Sequence, residues 1–136
     1  MGQRVSSFRD LAAWQRAVEL SVAVHRLTES FPRHERFGLA QELRKTSRSV
    51  AYNVAEGHQR HTTREYLRFL DIALGSQAEL ETQLRIAAAV GYLRSEEPKF
   101  LLTLCDEVGR LLRGLSKALE HRGAADPRCG GDAPIP

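Results

Sequence analysis

Proline occurs at only five positions in this chain, 32, 98, 127, 134 and 136, and none of them interrupts a long periodic run. Proline deletes a helical hydrogen bond and clashes with the preceding turn, so its absence leaves long stretches free to be helix. Across those stretches apolar residues recur at three- and four-residue steps, the helical period. No stretch of useful length alternates apolar with polar residues, and no Asn-Gly or Asp-Gly pair marks a hairpin. The chain therefore reads as all-α.

Local signals divide it into four helices. The first is predicted over about residues 8–30, capped by Ser6 or Ser7, with Asp10 in its first turn. It ends at Phe31-Pro32, because the residue before proline avoids the helical region. The second is expected over about residues 35–56, with Gly57 as its stop. Thr62 and Glu65 have the spacing of a capping box and open a third helix that runs to about residue 90, with Gly91 as its stop. The fourth follows Ser95, spans about residues 96–121 and is expected to end at Gly123. Connections this short make neighbouring helices antiparallel, which predicts an up-down-up-down four-helix bundle over residues 6–121. Residues 122–136 are rich in Gly, Pro and Ala, lack an apolar face and read as a disordered tail.

With 136 residues, 42% hydrophobic and 27% charged, one domain can bury a genuine core. No apolar run reaches the ~18 residues of a membrane span. Cys105 and Cys129 match no metal spacing and form no disulfide framework. The expectation is a cytoplasmic protein of bacterial type with no membrane contact.

The apolar stripes differ in number from helix to helix. Helix four carries one: Leu101, Leu104, Val108, Leu111, Leu112, Leu115 and Leu119, with Cys105 at its edge. Leu111 and Leu112 are both expected in the core. Helix one carries two. Leu11, Trp14, Val18, Val22 and His25 form one seam, and Ala13, Ala17, Leu20, Val24, Leu27 and Phe31 a second. Helix three is similarly wide, with Leu67, Leu70, Ala73 and Leu74 on one stripe and Phe69, Ile72, Ser76 and Leu80 on another. A monomeric bundle buries one face per helix, and large exposed apolar patches are rare. The second stripes predict self-association, assigned to Ala13, Ala17, Leu20, Val24, Leu27, Phe69, Ile72, Ser76 and Leu80. Gly75-Ser76, in mid-helix, predicts a close helix approach.

Catalytic patterns are missing from the sequence. There is no GxSxG, phosphate-binding P-loop, GxGxxG or HExxH. The carboxylates Glu56, Glu65, Glu79 and Glu81 lack the Glu-x-x-His pairs of a di-metal bundle. Glu65 and Glu79 are expected to pair with arginines across a helix contact. No cofactor, metal site or catalytic residue is assigned.

Charge supplies the remaining candidate. Residues 33–68 carry eight Lys/Arg against four Asp/Glu, whereas residues 69–107 carry three against seven. Arg44, Lys45 and Arg48 lie on helix two, and Arg60, Arg64 and Arg68 continue at four-residue steps into helix three. Such a ladder can track phosphates. The competing reading pairs it internally, with Arg44 and Arg60 as partners of Glu79 and Glu56.

Three segments carry a resemblance: FRDLAAWQRAVEL at the start, NVAEGHQR from Asn53 to Arg60, and FLDIALGSQAEL from Phe69 to Leu80. Together they resemble the four-helix bundle proteins also called the 23S rRNA intervening-sequence protein family, over about residues 6–120. The chain departs from the pattern at Thr46-Ser47, Val50 and Tyr66. The resemblance implies a small antiparallel bundle assembling into a homopentameric ring, a ribosomal-protein-like label that follows gene location, and no catalytic activity. It also implies kinship with the accessory protein of diversity-generating retroelements, a basic bundle that binds nucleic acid and a polymerase. The leading expectation is thus a non-enzymatic oligomeric adaptor for RNA or DNA. The alternative is a protein-binding scaffold in which the basic ladder serves subunit contacts.

Overall fold

The computed structural model describes residues 7–94 and 96–125. Four α-helices make up nearly all of it: α1 (Ala12–Thr28), α2 (Leu39–His58), α3 (Thr63–Ala89) and α4 (Glu97–Ala125). Among the described residues there is no strand. Each helix packs on its neighbours in sequence, and α1 closes the square on α4; the diagonal helices bring no Cα atoms within 8 Å of each other. Cross-links run antiparallel throughout. Thr28 meets Arg44 while Ser21 meets Ser47, Ser49 meets Ser76 while Thr46 meets Gln83, and Gln77 meets Cys105.

The helix ends show where local chemistry acts. Residues Phe8–Asp10 form a 3-10 turn capped by the Ser7 side chain, and extended backbone at Leu11 separates it from α1. The expected single helix from residue 8 is therefore two elements. Ser6 lies outside the described residues. A second 3-10 turn, Arg33–Glu35, precedes α2. The Glu35 carboxylate accepts from the Leu39 N–H at 3.1 Å, so Glu35 caps α2 rather than beginning it. That N–H and the Tyr92 hydroxyl, 2.8 Å away, hold the Glu35 carboxyl below the usual range. Thr62 caps α3 through the Glu65 N–H, as its spacing predicts. Gly91, at φ +86°, ends α3. The Tyr92 N–H reaches back to the Ala87 carbonyl and the Gly91 N–H to that of Ala88, a Schellman arrangement in which glycine relieves left-handed strain.

Two glycines behave otherwise than expected. Gly57 lies within α2, not beyond its end. A Cβ there would sit 2.9 Å from Phe69 Cβ and 3.1 Å from Tyr66 Cδ1, so Gly57 permits the closest approach of α2 to α3. Gly75, where a close approach was predicted, has nothing within 4 Å of a Cβ. Gly123 does not stop α4, which continues to Ala125; the tail expected beyond lies, from residue 126, outside the described residues.

The core is aliphatic. Leu20 and Val24 of α1, Leu43, Val50 and Val54 of α2, Leu70, Leu80 and Leu84 of α3, and Val108 and Leu112 of α4 are fully buried. Leu111 is only half-buried, packed against the rim of this cluster. Gln77 enters the core from α3, where its Nε2 donates to the Cys105 carbonyl at 3.1 Å. Burial pushes the Cys105 thiol up to about 11, consistent with a small buried hydrophobe. No described helix is long and apolar enough to cross a membrane.

Candidate nucleic-acid interface

The six basic residues of the expected ladder separate into three settings. Arg44 and Arg48 stand one turn apart on the flank of α2 that faces α1, and both are half-buried. Arg44 Nε donates to Thr28 Oγ1 at 2.7 Å. Arg48 Nη1 donates to His25 Nε2 at 3.1 Å, while His25 Nδ1 donates to the Ser21 carbonyl at 2.8 Å. Beneath them Ser47 Oγ donates to the Arg44 carbonyl at 2.9 Å and lies 3.0 Å from Ser21 Oγ. Small hydroxylated residues let α1 and α2 come together here, and the arginines reach across the top of the seam.

Lys45 faces the other way. It lines a pocket of about 270 Å³ between α2 and α3 with Glu42, Thr46, Ser49, Ser76, Glu79 and Gln83. Glu79 accepts from Gln83 Nε2 at 3.4 Å, and among the described residues it has no arginine partner. Among the described residues the expected cross-helix pairs of Glu65 and Glu79 with arginine are not formed. Arg44 and Arg60 likewise do not pair with Glu79 and Glu56.

Arg60, Arg64 and Arg68 occupy the far end of the bundle, around the turn from α2 to α3, and all three are exposed. From Arg44 to the end of α2 at His58 is fourteen steps, about 21 Å along the axis at 1.5 Å per residue, and Arg60 lies beyond that end. The Arg60 guanidinium lies 4.5 Å from the centroid of the Phe69 ring and that of Arg68 lies 5.3 Å from it. One largely buried ring thus underlies two exposed cations. Tyr66 packs below, against the His58 ring at 5.8 Å. Its hydroxyl is buried without a hydrogen-bond partner among the described residues, and burial raises it to about 12.

The expected oligomer surface also divides. Ala13, Ala17, Leu20, Val24, Leu27 and Leu80 belong to the core of the single chain, and Phe69 is 8% exposed beneath its arginines. Those residues are buried within the single chain. Ser76 is half-buried against Ser49, and only Ile72, at 42%, is exposed. The inward seam of α1 is the second one; of the first, Leu11 is buried, Trp14, Val18 and His25 are half-buried, and only Val22 is exposed. Helical period distinguishes two stripes but does not say which of them meets the other helices. Val18 and Val22 of the first seam, with Ala23, Phe100 and Leu104, line an open groove of about 520 Å³ between α1 and α4. Phe100 is 64% exposed there. Phe100 was absent from the expected surface, because a single aromatic ahead of the helix-four stripe gives no periodic signal.

Among the described residues no three His, Cys, Asp or Glu side chains gather as metal ligands. Cys129 lies outside them.

Residues 9–114 match the family described as 23S rRNA-intervening sequence protein. The fold is similar to a crystal structure from Bacteroides thetaiotaomicron, a protein of unknown function from the S23 ribosomal protein family, with a TM-score of 0.73 and 20% sequence identity. The likeness covers 78% of this chain and 99% of that one. No curated protein is similar enough to this chain to count as a relative.

Proposed function

Since this chain belongs to the 23S rRNA-intervening sequence protein family, we propose that it is a non-enzymatic bundle protein that self-associates and binds RNA or DNA through the arginines of the α2–α3 turn. The carrying observation is the pair Arg60 and Arg68, held outward on the ring of Phe69, with Arg64 exposed between them in sequence. A guanidinium fork grips two phosphate oxygens, and fixing it on a buried ring lowers the entropy lost on binding. Self-association into a ring, with five copies as the expected count, repeats the net +4 of residues 33–68 around one axis. Repetition supplies avidity from contacts that are individually weak. The exposed groove of Val22 and Phe100 is the face we assign to subunit contact, in place of the inward seam.

Binding of a 20-nucleotide RNA and a matching DNA duplex across a salt series tests the reading. Wild type is expected to show log K falling linearly with log salt, and Arg64→Glu with Arg68→Glu to weaken binding with a shallower slope. Absence of binding to either probe at about 100 mM salt rejects it. The protein-binding scaffold then takes its place. It is favoured by a separate observation: Arg44 and Arg48 are already engaged within the chain.

A further inference from the structure

Both ring nitrogens of His25 have partners, and those partners fix where its proton sits. The Ser21 carbonyl, 2.8 Å from Nδ1, can only accept, so Nδ1 carries the hydrogen. The Arg48 guanidinium, 3.1 Å from Nε2, can only donate, so Nε2 must present a lone pair. The contact therefore exists only with the neutral, Nδ1–H imidazole. Among the described residues no carboxylate pairs with Arg48, so the imidazole is what holds its guanidinium against α1.

We propose that His25 is an acid-released latch on Arg48. A proton taken from solvent at Nε2 removes the acceptor, places two cations at hydrogen-bond distance and drives the Arg48 guanidinium off α1 into water. There it joins the charge available to phosphate, a consequence that rests on the function proposed above. The surroundings do little to soften the repulsion. Across the seam α2 presents Arg44 and Arg48, and Arg44 is tied to Thr28. On α1 the nearest acid is Glu29, one turn further on and exposed. α4 meets the opposite flank of α1, through Glu107 and Arg16, and α3 lies diagonally across the bundle, with no Cα within 8 Å of α1.

Two arms test this on the full chain. In the first, ¹⁵N spectra of the histidine rings and arginine side chains are followed from pH 8 to pH 5. His25 is expected as the Nδ1–H tautomer at high pH, with the Arg48 signals moving in step with its titration. In His25→Gln, which keeps an acceptor and takes up no proton, the Arg48 signals stay still. An Nε2–H tautomer at high pH, or Arg48 signals indifferent to His25, overturns the latch. In the second arm, the salt dependence of binding to the 20-nucleotide RNA is compared at pH 7.5 and pH 5.5. The wild-type slope is expected to steepen by about one more unit per bound chain than that of His25→Gln, one added phosphate contact. The other histidines contribute equally to both proteins and cancel. Equal slopes overturn the link from Arg48 to phosphate, even where the spectra confirm the latch. No RNA binding at either pH overturns the proposed function, and the latch is then decided by the spectra alone.

Discussion

Arg44 and Arg48 on one hand, and Arg60, Arg64 and Arg68 on the other, are the same residue type at the same four-residue spacing, yet they do different physical work. The first pair is half-buried and reaches hydrogen-bond acceptors on α1. In the second group Arg60 and Arg68 are exposed and rest on an aromatic face. A hydrogen bond uses a guanidinium's N–H groups, whereas a π-face leaves them pointing outward. What lies beneath an arginine therefore decides whether its N–H groups are engaged across a seam or it rests on a ring at the surface, and spacing along the sequence does not encode it.

The largest expected effect comes from removing the support of the second group. Phe69→Ala is expected to cost about 3 kcal/mol, as for a buried aromatic near the surface, and to weaken RNA binding with it. A loss well under 1 kcal/mol in denaturant titrations would show that the ring does not carry the turn. Arg44→Met is expected to cost about 1–2 kcal/mol through the lost bond to Thr28, with binding unchanged. Weakened binding at unchanged stability would move Arg44 into the contact group and break the comparison. Tyr66→Phe is expected to raise stability by about 1 kcal/mol, since it removes a buried hydroxyl that has no partner among the described residues. A drop would reveal a partner for that hydroxyl. Gly75→Ala is expected to gain about 0.5–1 kcal/mol, because an exposed helical glycine costs that much relative to alanine. A loss, accompanied by smaller particles in light scattering, would place another copy against this face of α3. Smallest in stability is Arg64→Glu with Arg68→Glu, within about 0.5 kcal/mol of wild type, although its effect on binding is expected to be large. A substantial loss of stability would make these arginines struts as well.

Much of the architecture was legible from the chain. Four helices, the Thr62 cap, the Gly91 stop and the buried Leu101–Leu119 stripe follow from signals that act within one or two turns. Missed helix ends have equally local causes. Glu35 became a cap because its side chain met the Leu39 N–H, and a 3-10 turn at residues 8–10 replaced the first turn of α1. The candidate site was much less legible. Leu111 and Leu112 looked alike in sequence, yet only Leu112 faces the centre. Seven residues expected at a subunit surface were spent on the chain's own core or beneath its arginines, and Lys45 turned away from the arginines that flank it.

The sequence by itself determined the helices and their antiparallel order, because proline placement, caps and apolar period act over a few residues and short connections leave one way to fold back. Only the tertiary structure decided which of the two seams of α1 is inside, which glycine admits a neighbour, and which arginines hydrogen-bond across a helix seam and which rest on an aromatic ring. Those outcomes depend on the rotation of each helix about its own axis, and that rotation is set by the joint packing of α1 to α4 around Leu20, Val50, Leu80 and Leu112, which no single segment contains.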